Sequence, residues 1–213
     1  MTVAILSSAE KLAVKAKTKR NVPDSLVKEV IDGVRFYYRD YKKVLNKQQK
    51  LEQIMGCSAL QSIIIGYILE EIYGAKLQKK FWVLSNEIGH HISHKNNFSY
   101  DIALYDRKVL TSDKITNQYV QEIAPSLVIE VETDISLDDT GMNSLTEYWM
   151  KKTQKILDNG TEKVIWIFSK NNKILVSEGE EWHIYNLDKN IQLIDNVTIN
   201  VGNYLKEENI NIL

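Results

Sequence analysis

Leu127-Val128-Ile129-Glu130-Val131-Glu132, a helical stretch from Ser144 to Asn159, and then Val164-Ile165-Trp166-Ile167-Phe168 decide the fold of this chain. The two flanking runs are apolar and rich in β-branched residues, which predicts buried strands. The stretch between them carries apolar residues at helical spacing and stops at Asn159-Gly160. A strand, helix and strand over 126–168 predict a right-handed parallel crossover. Alternation places Val128, Glu130 and Glu132 on one face of the first strand and Leu127, Ile129 and Val131 on the other. Carboxylates therefore stand where a strand covered on both faces should be apolar. Burying them costs several kcal/mol unless they are paired or coordinated.

The helix after this strand offers a counter-charge. Leu145, Trp149, Lys152 and Ile156 are spaced by four, three and four, so the spacing predicts one inward face that includes Lys152. Lys151 and Lys155 fall to the side and read as solvated. A second acidic strand end, Tyr100-Asp101-Ile102-Ala103-Leu104, precedes the crossover.

Working outward, Asp32-Gly33 between Val27-Lys28-Glu29-Val30-Ile31 and Val34-Arg35-Phe36-Tyr37-Tyr38 predicts an antiparallel ribbon. Leu60, Ile63, Ile64, Tyr67 and Ile68 predict a core helix from about Ser58 to Tyr73, stopped at Gly74. Strands are predicted over Lys80 to Leu84, Tyr100 to Tyr105 and Ser126 to Glu132, with a polar loop from Asp134 to Asn143. Hairpins follow the crossover, turning at Lys170-Asn171-Asn172-Lys173 into Ile174-Leu175-Val176, with Trp182-His183-Ile184-Tyr185 behind. The fold class is α/β: a mixed β-sheet flanked by helices, with an N-terminal antiparallel ribbon and C-terminal hairpins. Residues 1–22 read as a tail or a loosely docked helix, and 23–213 as a single domain.

The 213 residues are 44% hydrophobic and 26% charged, an ordinary globular composition large enough to bury a core. A formal net charge of -1 argues against a protein that coats nucleic acid, while leaving room for a local basic groove. The single Cys57 can form no internal disulfide, there is no secretory-signal layout, and no apolar run reaches the roughly 20 residues of a membrane span. Together these predict a cytoplasmic protein without a membrane partner.

Asp101, Glu130 and Glu132 on successive strands, with Lys152 behind them, are the residue types a divalent metal requires: hard oxygen ligands and a nearby cation. Two readings of Lys152 stay open here, a lysine of such a site or a buried ion pair that clips helix to strand. His90, His91 and His94 lack the cysteine or spaced carboxylate of a standard zinc pattern, and a polar strand end is the simpler reading. Gln61 could approach the acidic cluster, although a solvated glutamine is the plainer expectation. Lysines 42, 43, 47 and 50, lysines 76, 79 and 80, and lysines 170 and 173 could line a phosphate groove or simply face solvent. The Tyr37-Tyr38-Tyr41 cluster could be a hairpin face or a stacking surface.

Tyr100-Asp101-Ile102-Ala103, then Ala124-Pro125-Ser126-Leu127-Val128-Ile129-Glu130-Val131, then the spacing from Lys152 through Ile156 and Gly160 to Val164-Ile165-Trp166 resemble the Uma family of restriction-endonuclease-like proteins. Glu29-Val30-Ile31-Asp32-Gly33 resembles that family's opening. The likeness covers roughly residues 23 to 190 and implies the mixed sheet of the PD-(D/E)XK nuclease superfamily. It implies that Asp101 is the first metal-binding aspartate, Glu130 the second acidic ligand, and Lys152 a helical version of a lysine usually found two residues after that acid. In this chain that slot is Glu132, either an extra ligand or a partner of Lys152. Tyr100 replaces the usual proline before the aspartate, and the loop from Asp134 to Asn143 is longer than in the family.

The function implied is metal-dependent endonucleolytic hydrolysis of phosphodiester bonds in nucleic acid, with DNA the expected substrate. Mg²⁺ or Mn²⁺ would be held by Asp101, Glu130 and Glu132, and Lys152 would hold or activate the attacking water. The alternatives are a non-catalytic binding or scaffold protein of the same fold, or a structural protein that forms homodimers through its hairpins. A homodimer is expected in either case.

Overall fold

The computed structural model describes residues 22–131, 135–138 and 140–211. The N-terminal tail expected over 1–22 lies outside these but for its last residue. Glu132 and part of the loop from Asp134 to Asn143 also lie outside them.

The chain opens with β1 (Val27–Ile31) and β2 (Val34–Tyr38), which pair antiparallel across Asp32-Gly33. Both turn residues have positive φ, 50° and 77°, as a two-residue hairpin of matching twist demands. Two short helices, α1 (Tyr41–Leu45) and α2 (Glu52–Met55), lead to the core helix α3 (Ala59–Gly74). Ser58 caps α3, its hydroxyl accepting the Gln61 N–H at 3.1 Å.

The next strands are longer than the sequence suggests. β3 (Phe81–Ser93) and β4 (Asn96–Asp106) form one antiparallel hairpin. The polar stretch Ser85-Asn86-Glu87 hides the continuation of β3. There the pairing shifts, and Asn86 and Glu87, both with positive φ, stand against a single residue of β4. This is a bulge, a device common beside functional sites.

β5 (Val120–Gln121) pairs with β3, β6 (Leu127–Val131) with β4, and β7 (Ile135–Ser136) with β2. Helix α4 (Leu145–Asp158) then crosses to β8 (Lys163–Phe168), which runs parallel to β6 as the sequence predicts. α4 begins in a reciprocal cap: Ser144 Oγ accepts the Glu147 N–H at 3.2 Å, and Glu147 Oε2 accepts the Asn143 N–H at 3.0 Å. β9 (Lys173–Glu178) and β10 (Glu181–Asn186) complete the large sheet. A small pair, β11 (Ile191–Gln192) and β12 (Thr198–Ile199), and helix α5 (Val201–Glu207) end the chain.

The sheet runs β10-β9-β8-β6-β4-β1-β2-β7, with β3 on the other edge of β4. One face packs Ile102, Leu104, Leu127, Ile129 and Ile165 against Ile64, Ile68 and Ile72 of α3 and Val201 of α5. The other packs Ala103, Tyr105, Val128, Val164 and Trp166 against Tyr148 and Ile156 of α4. Both layers are dry and close-packed, which is the main source of stability for an α/β sheet.

One expectation for α4 needs correction. Leu145 is exposed, and the buried positions of the helix are Tyr148, Lys152, Thr153 and Ile156. The inward stripe is thus the Tyr148, Lys152, Ile156 row at four-residue steps. Trp149 sits at its margin, tilted against Phe168 with ring centroids 4.2 Å apart.

Candidate functional site

The site is built where three strands meet. β3 takes one edge of β4 along its length, so β6 and β1 must share the other edge, end to end. β6 pairs with Ile102 to Leu104, β1 pairs at Asn97, and Asp101 lies in the gap between them. Alternation breaks at the same place: Phe98 and Tyr100 pack on the α4 side, whereas Ile102 and Leu104 pack on the α3 side.

Asp101 occupies this notch as a ladder terminator. Its Oδ2 accepts the Val131 N–H at 2.7 Å, just beyond the last β4–β6 pair, Ile102 with Ile129. Gln61 of α3 reaches the carboxylate at 3.3 Å to each oxygen, so it is a site residue rather than a solvated one. Burial pushes the Asp101 carboxyl above its usual range, opposed by the Val131 N–H, by Lys28 and Lys152, and by Gln61.

Glu130 points from β6 to the opposite side, toward α4, where Lys152 Nζ lies 2.7 Å from its Oε1. The same Nζ lies 2.8 Å from Glu29 Oε2 and 3.1 Å from the Ser99 carbonyl. An ammonium has three protons, and these three oxygens surround it. The Tyr148 hydroxyl in turn donates to Glu29 Oε1. The rings of Tyr100, Tyr148 and Trp166 wall the ammonium, their centroids 5.8, 6.0 and 5.5 Å away. Lys152 is 2% exposed and Glu29 2%, so the cluster is screened from water.

Burial disfavours the charged form of Lys152, but the Glu130 and Glu29 carboxylates outweigh it and raise the lysine well above its usual value. Burial pushes the Glu130 carboxyl up to about 8, with Lys152 working against the rise and Asp101 adding to it. Asp101, Glu130 and Glu29 set three carboxylates against one ammonium, a formal -2 when all are ionised. Such a charge in a dry site calls for protons or a cation.

The structure therefore pairs Glu130 with Lys152 on the α4 side of the sheet and sets Asp101 in the adjoining notch, near enough for its charge to act on Glu130 and to feel Lys152. Glu132, expected as a ligand or as a partner of Lys152, lies outside the described residues. The second partner of Lys152 is Glu29, to which the sequence reading assigned no role. Its signal was present: Glu29 stands between Val27 and Ile31 on one face of its strand, a carboxylate on an apolar row.

Asp101 and Glu130 supply hard oxygen donors of the kind Mg²⁺ and Mn²⁺ take, and the buried Glu130 Oε1, although 2.7 Å from Lys152 Nζ, accepts no well-aligned hydrogen bond among the described residues. Glu29 is committed to Lys152 and Tyr148. Among the described residues no three His, Cys, Asp or Glu side chains are grouped to hold a metal ion. The fit is thus one of donor chemistry, with two carboxylates in place.

The histidines stand apart from this site chemistry. His90 is buried, shares a proton with the Tyr100 hydroxyl at 2.9 Å, and is depressed by burial to about 4, so it is neutral. His91 contacts Asn97, and His94 is exposed.

No family model matches the chain, and no curated protein sequence matches it. In three dimensions it is similar to a crystal structure from Anabaena variabilis described as "a putative nuclease belonging to DUF820". The TM-score is 0.59 at 16% sequence identity, over 84% of this chain and 89% of that one. At that identity the likeness speaks for the fold. The mixed α/β architecture expected from the sequence, a large mixed sheet flanked by helices, is the one observed, and this neighbour shares it. No helix among the described residues is long and apolar enough to cross a membrane.

Proposed function

We propose that the protein is a metal-dependent nuclease that hydrolyses phosphodiester bonds in nucleic acid, DNA in the first instance, and that it is an Uma-type member of the PD-(D/E)XK superfamily. The observation that supports this reading is the buried Glu130–Lys152 pair standing beside the Asp101 notch, three groups drawn from three separate elements. Asp101 and Glu130, joined by Glu132, would hold Mg²⁺ or Mn²⁺. When bound, such an ion would lower the pKa of a coordinated water and offset charge on a phosphoryl group.

The chain's own residues prepare the site. The Val131 N–H and Gln61 aim the Asp101 carboxylate before any ligand arrives. Lys152 fixes Glu130, and Glu29 with Ser99 fixes Lys152. Because its carboxylate neighbours keep it protonated, Lys152 acts as a fixed cation and not as a base. It reaches a water or a phosphate oxygen only by releasing one of its three oxygens.

A second reading draws on those same contacts. A lysine held between two carboxylates and a carbonyl is also what a purely structural ion cluster would hold, in a non-catalytic scaffold of this fold. Incubation of supercoiled, linear and single-stranded DNA, and of RNA, with Mg²⁺ or Mn²⁺ separates the two. The nuclease reading expects cleavage that Asp101→Ala and Lys152→Ala each abolish. Cleavage that survives both substitutions sinks it.

A further inference from the structure

Beside the notch lies a groove of about 240 Å³ whose lining includes Lys28, Glu29, Arg35, Asn97, Ser99 and Tyr119. It shares Glu29 and Ser99 with the Lys152 cluster, so its floor is the wall of the candidate site. Tyr119, just before β5, is 59% exposed, an unusual position for so large a ring. It is nevertheless held in place. A Cβ added at Gly89 would stand 2.5 Å from the Tyr119 ring, so the ring lies directly on the backbone of β3 where no side chain intervenes. Gly89 pairs with Ser99, and the Ser99 carbonyl accepts from Lys152. An exposed, seated aromatic face is thus one ladder step from the lysine of the site.

The charges along this groove suit a phosphate chain. Lys28 acts on Asp101 across the gap and pairs with Glu87 at 3.5 Å, while Arg35 pairs with Asp24 at 2.9 Å. Asp24 and Glu87 are at the surface, and exposed pairs of this type are weak, so either cation can exchange its carboxylate for a phosphate oxygen. Glu29 is turned inward and engaged. The groove is smaller than the roughly 300–1,000 Å³ of a small-molecule cleft, which fits one unit of a polymer better than a free cofactor.

We infer that Tyr119 is a stacking platform for one unpaired base of a single-stranded nucleic acid, whose adjoining phosphates lie along Lys28 and Arg35 on the way to Asp101 and Glu130. Inside a duplex both faces of a base are covered by its neighbours, so a ring beside the path of a continuous strand takes its base from single-stranded nucleic acid. The inference rests on the nuclease reading for the kind of ligand, and its test reads binding without cleavage.

The experiment is fluorescence anisotropy of the full chain in EDTA, with a labelled oligothymidine and with a duplex of equal length. Tyr119→Ala should weaken oligothymidine binding roughly 5- to 150-fold, the range for loss of one stacked base, while Tyr119→Phe stays near wild type. Lys28→Ala should lower the salt dependence by about one phosphate contact. Unchanged affinity in Tyr119→Ala, or a duplex that binds as tightly and responds equally, overturns the inference. Tyr119-dependent binding without any cation-dependent cleavage would support this surface and refute the nuclease reading. Cleavage with Tyr119-independent binding would do the reverse.

Discussion

Lys152→Met removes the ammonium and keeps most of the side chain's bulk. Three oxygens then lose their partner: Glu29 Oε2, Glu130 Oε1 and the Ser99 carbonyl. Glu29 is 2% exposed and Glu130 6%, so water cannot replace the lysine at either carboxylate. Breaking a buried pair by removing one partner costs about 3–5 kcal/mol. That is a large share of the roughly 5–15 kcal/mol by which a domain is stable. The loss depends on pH in a defined direction. Glu130 is already raised from 4.5 to about 8 with Lys152 present, and without the lysine its folded carboxyl holds a proton still more firmly. A carboxyl raised in the folded state stabilises fully below its unfolded value, and that stability is lost as pH rises through the folded value. The variant should therefore be weakest near pH 8.5 and should recover toward pH 5, by up to about 1.4 kcal/mol per pH unit for each carboxyl that retains its proton. Urea unfolding followed by tryptophan fluorescence at several pH values measures this, since Trp166 lies beside the cluster. A loss below about 1 kcal/mol at pH 8.5, or one that does not change with pH, refutes the account of a buried carboxylate cluster held by one lysine.

Other consequences follow from the same contacts. Mn²⁺ should raise the melting temperature of the wild type more at pH 8 than at pH 5.5, because a proton on Glu130 competes with a cation, and Glu130→Gln should remove that pH dependence. An equal shift at both pH values would contradict it. Gln61→Ala should lower cleavage modestly, about tenfold or less, because its contacts to Asp101 are 3.3 Å long and the Val131 N–H still aims the carboxylate. A total loss of activity would assign Gln61 a larger role. Tyr148→Phe leaves Glu29 Oε1 without its donor and should cost about 1–3 kcal/mol in urea unfolding; no change would mean that the bond adds nothing.

What could be read in advance follows from how each interaction is encoded. The Asp32-Gly33 hairpin, the α3 and α4 helices and the parallel β6–β8 crossover were legible because each is a local period or a turn signal. So was the inward turn of Lys152, although Tyr148 and not Leu145 shares its row. The rest depends on register between distant strands. Glu29 meets Lys152 only because β1 and β6 share one edge of β4, and no spacing in the chain records that. Gln61 reaches Asp101 only through the packing of α3 on the sheet. The long β3 was obscured by the polar bulge at Asn86 and Glu87, where the backbone takes positive φ and the alternation lapses.

The central claim is that Asp101 and Glu130 support cation-dependent phosphodiester cleavage. The rate of strand nicking against Mn²⁺ concentration, measured for the wild type, Asp101→Asn and Glu130→Gln, tests it most directly. The account predicts a saturable rate for the wild type and none for either variant at any concentration, with both variants folded by circular dichroism. A wild type that cuts neither DNA nor RNA across the titration, or an Asp101→Asn that cuts at the wild-type rate, would contradict it.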